Sequence, residues 1–242
     1  MKAIILAAGY ATRLYPLTKE FPKPLLELNK RPIIDYILED LEEISRIKQI
    51  IVVTNSKFIS HFRRWAKARR FKKPLKLVDD QTKDLKDRLG AIGDMEFAIS
   101  SERINDDILV IGGDNFFDSR LKGFVSFCGN NPVIGAYDVK SREKARHYGV
   151  IKLNRRRRVV DFQEKPANPK STRIAMCLYY FPKRRLGLVK EYLGARHKRD
   201  ATGLYIDWLR KRVPVYGFVF GGRWYDIGDH RFYNEAKKGL SE

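Results

Sequence analysis

Short runs rich in isoleucine and valine recur along the first half of the chain, and amphipathic segments lie between them. Runs of this length, bounded by turn residues, are typical of buried strands. They are Lys2–Ala7, Gln49–Thr54, Leu75–Val78, Asp107–Gly112 and Pro132–Val139. The alternation predicts an α/β fold, with a doubly wound, mainly parallel central sheet, helices on both faces and ligands bound beyond the carboxyl ends of the strands.

Two of the segments between the strands have the periodicity of amphipathic helices. Pro32 suits the first position of a helix that reaches Ile44, and its apolar residues share one face, namely Ile33, Ile34, Ile37, Leu38 and Leu41. Lys57–Arg70 carries apolar side chains at the same spacing, namely Phe58, Phe62, Trp65 and Ala66. We expect these aromatic side chains to pack on the sheet rather than to stack on nucleic-acid bases.

Beyond about residue 139 the pattern changes to paired strands. Val150–Leu153 and Val159–Gln163 are joined by a short basic turn, and another extended run covers Thr172–Phe181. This half is predicted to be more antiparallel, so the central sheet is expected to be mixed. Because no linker rich in glycine, serine or proline and no internal repeat interrupts the chain, we expect a single domain over residues 1–242, with two halves that meet near residue 140.

The chain is strongly basic, since 49 lysine and arginine residues against 29 aspartate and glutamate residues give a net charge of +20. Such a surface attracts polyanions. The basic clusters flank helices or lie at turns, however, and none of them interleaves basic and aromatic residues as nucleic-acid modules do. We therefore expect a solvated basic surface and no nucleic-acid partner, with binding of RNA or of an anionic membrane surface as the alternative.

Cysteine content and the length of apolar runs bear on the location of the protein. Cys128 and Cys177 are the only cysteines, which argues against a disulfide framework and favours buried free thiols. The apolar run Ala3–Ala8 is shorter than the roughly 7–15 residues of a secretory signal core, and no run reaches the ~18–20 residues that span a bilayer. These features predict a cytoplasmic protein without a membrane partner.

A loop of small residues follows the first strand, at Leu6-Ala7-Ala8-Gly9-Tyr10-Ala11-Thr12-Arg13-Leu14, and Pro22-Lys23-Pro24-Leu25 comes shortly after it. Small side chains let backbone N–H groups approach phosphate oxygens, and Arg13 and Lys23 can neutralise the remaining charge. The segment is neither a Walker loop nor a dinucleotide fingerprint, because it lacks the glycines and the Gly-Lys-Ser/Thr ending that those motifs need.

This combination resembles the signature of the sugar-1-phosphate nucleotidyltransferase family, including its glucose-1-phosphate thymidylyltransferase-like members: a Leu-Ala-Ala-Gly-x-Gly-Thr-Arg-Leu loop followed by Pro-Lys-Pro-Leu. The resemblance implies a Rossmann-like, GT-A-like fold and an enzyme that joins a nucleoside triphosphate to a sugar 1-phosphate with Mg²⁺. Residues 1–140 would form the nucleotide-binding half and residues 141–242 the sugar-phosphate-binding half. Arg13 and Lys23 would be catalytic, and the nucleotide would contact Leu6, Ala8, Gly9, Tyr10, Ala11, Thr12, Gln81 and Gly90.

One position departs from the signature, since Ala11 stands where the family usually has a second glycine. If the loop needs a positive φ angle at this position, alanine costs on the order of 1 kcal/mol or more. The departure motivates a second hypothesis, in which the protein is a non-catalytic regulatory or scaffold relative that binds nucleotide without turnover.

Two aspartates are the candidate metal ligands. Asp114 follows the fourth predicted strand in a Gly-Asp-Asn motif, at the edge of the sheet where the ligand is expected, and Mg²⁺ usually takes one or two carboxylates in addition to substrate phosphates. This motif is similar to the metal motif of the family, and Trp224-Tyr225-Asp226-Ile227-Gly228 is similar to a late element that supplies a second ligand. The resemblance thus implies Mg²⁺ on Asp114 and Asp226, with Asn115 facing the sugar or its phosphate.

The same resemblance assigns the sugar phosphate to the second half of the chain. Tyr148-Gly149-Val150 and Phe162-Gln163-Glu164-Lys165-Pro166 are similar to elements that line the sugar pocket. Gly149 would line this pocket, Glu164 would bind the sugar hydroxyls and Lys165 would hold the phosphate. Thr202, at a predicted helix start, is a further candidate on the sugar side, and Asp229 is expected to cap a helix over Arg231–Lys238.

Base selection is expected within residues 79–95, where Leu89-Gly90-Ala91-Ile92-Gly93 partly resembles the Leu-Gly-Thr-Ala-Gly segment of the family. Gln81 or Thr82 could hydrogen-bond a pyrimidine, and the residues do not decide between the two. Glucose 1-phosphate with dTTP or UTP is the leading expectation, with mannose 1-phosphate and GTP, or an alcohol phosphate and CTP, as alternatives. The four histidines lack the spacing of a zinc site or a nucleophile motif and are expected at the surface.

The resemblance extends from Lys2 to about Ala236, and the sequence ends at residue 242. We therefore expect neither the acyltransferase repeat domain that some relatives carry nor a second activity. A homo-oligomer is compatible with these features, and the sequence does not decide the oligomeric state.

Overall fold

The computed structural model of the protein describes residues 1–118, 120–195, 197, 199–228, 230 and 233–234, so Asp229 and most of the predicted helix Arg231–Lys238 lie outside the described residues. The strands are β1 Lys2–Leu6, β2 Glu27–Leu28, β3 Arg31–Pro32, β4 Gln49–Thr54, β5 Leu75–Asp79, β6 Ile108–Gly112, β7 Asn115–Phe117, β8 Val133–Asp138, β9 Gly149–Leu153, β10 Val159–Glu164, β11 Arg173–Phe181, β12 Tyr216–Phe220 and β13 Trp224–Asp226. The helices are α1 Ile33–Glu43, α2 Ile59–Lys67, α3 Gly90–Ser101, α4 Leu121–Phe127, α5 Arg142–Ala145, α6 Gly187–Gly194 and α7 Thr202–Arg210, with 3-10 helices at Thr12–Leu14, Lys23–Leu25 and Lys183–Arg185.

Nine of the described strands form one sheet around β1. Strand β1 pairs in parallel with β4 on one side and with β6 on the other, and β5 extends the parallel part beyond β4. Strand β11 runs antiparallel to β6 and leads into the antiparallel pair β9–β10, while β8 pairs with the other edge of β11 and in parallel with β12. The sheet is mixed and mainly parallel, which confirms the predicted fold class.

Alternate residues of the central strands face two opposite layers of helices. Ile5 of β1 belongs to a core cluster with Phe62 of α2, on the face that is also covered by α1 and α4. Ile4, one residue earlier, shares a second cluster with Met95 of α3 and Tyr205 of α7, on the other face. Strands that are buried on both faces have continuous apolar sequences for this reason. The buried Phe62 also confirms the predicted packing of the second helix on the sheet.

Two helices begin later than predicted. Pro32 lies outside α1, because it belongs to the short strand pair β2–β3 and lies opposite Glu27. Helix α2 is shorter than the predicted Lys57–Arg70, and the chain before it forms a turn in which the Asn55 side chain accepts a hydrogen bond from the Phe58 N–H. Within the described ranges, none of the helices combines the length and the apolarity needed to cross a lipid bilayer.

Candidate functional site

The loop that follows β1 is held at the carboxyl edge of the sheet by hydrogen bonds from its two neighbouring strands. The Gly113 N–H, just beyond β6, donates to the Leu6 carbonyl at 2.8 Å. The buried Asn55 side chain, just beyond β4, donates from Nδ2 to the Ala8 carbonyl at 2.8 Å. Gly9 has no atom within 4 Å of the position that a Cβ would occupy. The loop is therefore fixed at its base and leaves open space for a ligand at Gly9.

Ala11, near the end of this loop, has a left-handed backbone conformation with φ 47° and ψ 43°. Its carbonyl accepts hydrogen bonds from Thr18 Oγ1 at 2.8 Å and from the Leu14 N–H at 2.9 Å, which stabilise the turn. Position 11 therefore has the positive φ angle at which alanine is expected to be unfavourable. The left-handed region costs a residue with a Cβ about 1 kcal/mol or more relative to glycine.

Two acidic and two basic side chains from distant parts of the sequence converge beside the loop. Lys23 Nζ lies 2.6 Å from Asp114 Oδ2, and the Lys23 side chain is buried. The position that a Cβ on Gly228 would occupy lies within 3.8 Å of two guanidinium nitrogens of Arg13 and of Asp226 Oδ2. The residues predicted to be catalytic and metal-binding therefore occupy one region, while their chemical roles stay predictions.

A two-stranded ribbon, β7–β13, brings the two aspartates together. Asp226 lies opposite Asn115 in the antiparallel register, and Asn115 directly follows Asp114. Trp224 Nε1 donates to Asn115 Oδ1 at 2.9 Å, and Asn115 Nδ2 donates to Asp114 Oδ1 at 3.2 Å. The buried Asn115 therefore orients the Asp114 carboxylate, a contact that the sequence analysis did not predict.

The two aspartates form a site that fits a divalent cation. Burial and, to a smaller extent, the Asp114 carboxylate raise the pKa of Asp226 to about 6, although the charges of Lys23, Arg13 and Lys165 act in the opposite direction. A cation stabilises two carboxylates that repel each other. The described residues contain no group of three or more His, Cys, Asp and Glu side chains that could hold a metal ion by themselves. A pair of carboxylates suits Mg²⁺ that is shared with a substrate phosphate.

A cavity of about 330 Å³ extends from these charged side chains along the loop after β1. Its walls include most of the residues predicted to bind nucleotide, namely Leu6, Ala8, Gly9, Tyr10, Ala11 and Gly90. Thr12 and Gln81 do not line this cavity. Thr12 lies exposed in a 3-10 helix, and Gln81 lies exposed in a turn, with φ 69°. Thr82 is instead buried, with Oγ1 3.3 Å from the Tyr10 hydroxyl.

A second cavity of about 730 Å³ lies on the other side of the same charged side chains, and Arg13 and Asp114 border both cavities. The predicted sugar-side residues all line it, namely Asn115, Gly149, Glu164, Lys165 and Thr202, together with Asp226. Glu164 reaches the start of α7, where a Cβ on Gly203 would lie 2.0 Å from Glu164 Oε2. Burial raises the pKa of Glu164, against the effect of the Lys165 charge.

Several residues that line the two cavities were not predicted from the sequence. On the sugar side these are Trp224 and the exposed His147. The Trp224 ring centroid lies 5.4 Å from that of Tyr148, which belongs to the Tyr-Gly-Val element predicted to line this pocket. Asp80 and Asp94 line the nucleotide-side cavity. A carboxylate at position 94 interrupts the apolar face of a helix, and this pattern could have identified Asp94 as a candidate.

The doubly wound sheet, with charged side chains gathered beyond the ends of its parallel strands, is typical of α/β proteins that bind their ligands at this edge. A sequence profile of the nucleotidyl transferase family matches residues 2–242, and the chain belongs to this family. The predicted membership of the sugar-1-phosphate nucleotidyltransferases, which are enzymes, is confirmed.

Known relatives differ in how much of their length this chain covers. The glucose-1-phosphate thymidylyltransferase of Neisseria meningitidis serogroup A is 30% identical over 98% of this chain and 81% of its own length. The bifunctional protein GlmU of Methanocaldococcus jannaschii is 30% identical over 99% of this chain but 54% of its own length, so this chain spans about half of that protein. A Bacillus anthracis crystal structure, provisionally assigned as a glucose-1-phosphate thymidylyltransferase in complex with sucrose, has a TM-score of 0.85 at 22% identity, over 100% of this chain and 96% of its own.

Proposed function

We propose that the protein is a sugar-1-phosphate nucleotidyltransferase that joins a nucleoside triphosphate to a sugar 1-phosphate and releases pyrophosphate. The observation that carries this proposal is the position of Arg13, Lys23, Asp114 and Asp226 where two cavities meet. One cavity would take the nucleotide and the other the sugar phosphate. The phosphate groups of the two substrates would then lie together among these charged side chains.

The reaction is an in-line displacement, in which an oxygen of the sugar phosphate attacks the α-phosphorus and pyrophosphate leaves from the opposite side. Arg13 and Lys23 would brace the triphosphate and stabilise the charge that develops on the α-phosphate, while Lys165 would hold the sugar phosphate. When bound by Asp114 and Asp226, Mg²⁺ supplies further charge neutralisation between the phosphate groups. No general base is needed, because the attacking phosphate oxygen is already ionised.

Glucose 1-phosphate with dTTP or UTP is the substrate pair that we favour. The Gly-Asp-Asn, Tyr-Gly-Val and Glu-Lys-Pro elements support it, as does the Neisseria meningitidis relative by its name. Mannose 1-phosphate with GTP, and an alcohol phosphate with CTP, stay as alternatives. A cytoplasmic location, assembly as a homo-oligomer and the absence of a nucleic-acid partner also stay predictions.

Pyrophosphate release, measured with four nucleoside triphosphates against several sugar phosphates in the presence of Mg²⁺, tests this proposal. We expect turnover with at least one pair, a nucleoside diphosphate sugar as the product, and loss of activity when the divalent cation is chelated. Inactivity with every pair would contradict the proposal. If the inactive protein still bound nucleotide, the non-catalytic regulatory or scaffold hypothesis, which the left-handed Ala11 motivates, would be favoured.

Substitution of one aspartate tests the charged cluster itself. Asp114→Asn keeps the size of the side chain and removes its charge, so kcat should fall by on the order of 10²-fold or more. Asp161→Asn is a matched control, because Asp161 lies on β10 and lines neither cavity. Equal activity of the two variants would contradict the role assigned to Asp114.

The sugar side can be tested separately through Gly203. Gly203→Ala places a Cβ 2.0 Å from Glu164 Oε2, so Glu164 must move. We expect KM for the sugar phosphate to rise by about tenfold or more, because misplacement of a positioning group is costly, while KM for the nucleotide changes little. Gly187→Ala in α6 is the control, since no atom lies within 4 Å of its Cβ position. A similar rise in both KM values would argue against a role for Glu164 in sugar binding.

A further inference from the structure

Two buried carboxyl groups line the nucleotide-side cavity, Asp80 and Asp94, which are 4% and 6% exposed. The two side chains lie within hydrogen-bonding contact of each other. Asp94 Oδ1 has no hydrogen-bond partner among the residues that the structure describes. A buried polar atom without a partner destabilises a folded protein, so its presence beside a cavity needs a functional explanation.

The Asp80 carboxyl group is already engaged in local structure. Its Oδ1 accepts hydrogen bonds from the Thr82 N–H and from Thr82 Oγ1, both at 2.8 Å. The same threonine hydroxyl lies 3.3 Å from the Tyr10 hydroxyl, which connects this turn to the loop after β1. Asp80 therefore stabilises the wall of the cavity, and Asp94 Oδ1, which is itself shielded from solvent, is the atom that still lacks a hydrogen-bond partner.

The protonation of the pair makes Asp94 Oδ1 a hydrogen-bond acceptor. Burial and the neighbouring Asp80 carboxylate raise the pKa of Asp94 to about 8, and burial also raises the pKa of Asp80. Near neutral pH Asp94 therefore holds its proton, and the hydrogen bond with Asp80 places that proton between the two carboxyl groups. The other oxygen of Asp94 can then accept a hydrogen bond and has no proton to donate.

Asp94 lies about one helical turn after Gly90, the first residue of the 12-residue helix α3, so the two residues share a face of the helix. Side chains on a helix lean toward its N-terminus, which brings the Asp94 carboxyl group toward the first amides of α3. Such amides have no partner within the helix. The Ile92 N–H donates to the Arg199 carbonyl at 3.0 Å. Gly90, Ala91 and Asp94 all border the cavity, whose wall here combines backbone donors with one buried acceptor.

We propose that Asp94 recognises the nucleobase. Its Oδ1 accepts a hydrogen bond from a ring N–H that lies next to a carbonyl group, and the first amides of α3 face that carbonyl group. Uracil, thymine and guanine carry such an edge. Cytosine and adenine present a ring-nitrogen lone pair instead, which would face the Asp94 oxygen with no proton between them. The inference rests on the proposed function, in which the phosphates lie at Arg13 and Lys23 and the base occupies another part of the same cavity, which Asp94 also lines.

Calorimetric titration of UTP, dTTP, GTP and CTP, without sugar phosphate, tests the inference. At least one of UTP, dTTP and GTP should bind the wild-type protein about tenfold or more tighter than CTP, since mismatched buried polar groups weaken binding. Asp94→Ala should bring this ratio close to one. Asp94→Asn should keep it, because the amide nitrogen donates to Asp80 and the amide oxygen replaces Oδ1.

A control variant and melting temperatures separate base recognition from a structural role. Glu96→Ala removes another carboxylate from α3, one that accepts from Ser100 Oγ and does not line the cavity, so the ratio should not change. Equal weakening of all four nucleotides in Asp94→Ala, or wild-type binding of CTP as tight as that of the other three, would overturn the inference. Melting temperatures show whether each variant is folded at the temperature of the titration, since Asp94→Ala removes the hydrogen-bond partner of the buried Asp80 and is expected to melt below the wild-type protein.

These outcomes are distinct from failure of the proposed function. A wild-type protein that discriminates between nucleotides but releases no pyrophosphate with any sugar phosphate would contradict the proposed activity and leave base recognition by Asp94 intact. A wild-type protein that is active and binds CTP as tightly as UTP would contradict only the inference about Asp94.

Discussion

At position 11 an alanine has a backbone conformation that glycine adopts more easily, with φ 47°. Ala11→Gly should therefore stabilise the protein, because it removes a steric cost of about 1–2 kcal/mol and adds a smaller entropic cost in the unfolded chain. We expect a rise in melting temperature of about 2–4 °C per kcal/mol gained. Thermal unfolding measured by calorimetry or circular dichroism checks this.

Ala68→Gly is the matched control for this substitution. Ala68 follows α2 with φ −83°, an ordinary helical angle at which glycine has no steric advantage. This variant should lower the melting temperature, since glycine loses more backbone freedom on folding. If both variants shifted the melting temperature in the same direction, the assignment of strain to Ala11 would be wrong.

The carboxyl group of Asp94 should make the stability of the protein depend on pH. Its pKa is raised from 3.8 to about 8 in the folded protein, so the folded state binds this proton more tightly than the unfolded state does. The stability that results is fully present below about pH 4 and is lost as the pH rises through 8. Nearby Asp80 and Asp200 act on Asp94 in the same direction, and Asp79 acts likewise on Asp80.

Melting temperatures at about pH 5 and about pH 8, for the wild-type protein and for Asp94→Asn, measure this effect. The wild-type value should fall by several degrees more than the value of the variant, given about 2–4 °C per kcal/mol in a chain of this size. Asparagine occupies nearly the same volume and does not titrate, so it isolates the proton. Parallel falls in the two proteins would show that Asp94 does not bind its proton more tightly in the folded state.

At the scale of secondary-structure elements, the ribbon β7–β13 determines how the two aspartates are presented. Trp224→Phe removes the N–H that donates to Asn115 Oδ1, together with part of the indole ring system, and keeps an aromatic ring against Tyr148. The Asn115 amide can then reorient, and its hydrogen bond to Asp114 Oδ1 is weakened. We expect the concentration of Mg²⁺ that supports half-maximal activity to rise by about tenfold, as is usual when a group that orients a metal ligand is lost.

Trp65→Phe is the matched control, because Trp65 Nε1 donates to Asp35 Oδ1 between α2 and α1 and lines neither cavity. The same chemical change at this position should leave the Mg²⁺ requirement unchanged. Calorimetric titration of Mg²⁺ with bound nucleotide gives a second measurement that does not depend on turnover. An unchanged requirement in Trp224→Phe would mean that Asn115 does not need the tryptophan to orient Asp114.

The whole molecule carries a net charge of +20, and its basic clusters are spread over separate elements. Several basic side chains are already paired, for example Arg69 with Asp35 and Arg210 with Asp207. We expect no shift of a labelled RNA in a gel at about 0.15 M salt, because scattered cations attract polyanions only weakly under screening. An RNA complex that persisted at this salt concentration and weakened steeply above it would show that the basic surface binds nucleic acid.

Much of the fold could be predicted because buried strands and amphipathic helices leave local patterns. Strand β4 begins and ends at its predicted residues, while Pro32 was wrongly placed inside a helix because its pairing partner Glu27 belongs to another short strand. The local sequence could not show how Gln81 and Thr82 are placed, and neither of them lines the nucleotide-side cavity. The turn at φ 69° leaves Gln81 exposed, and Thr82 is buried against Tyr10.

The amino-acid sequence by itself determined which segments form strands and helices, where the small-residue loop lies, and which charged side chains follow the strands, because periodicity and loop chemistry act over a few residues. The tertiary structure alone decided that Trp224 donates a hydrogen bond to Asn115 and that Asp94 meets Asp80 in the wall of a cavity. Those contacts join residues far apart in the chain, and their distances depend on strand order and on the packing of helices against the sheet.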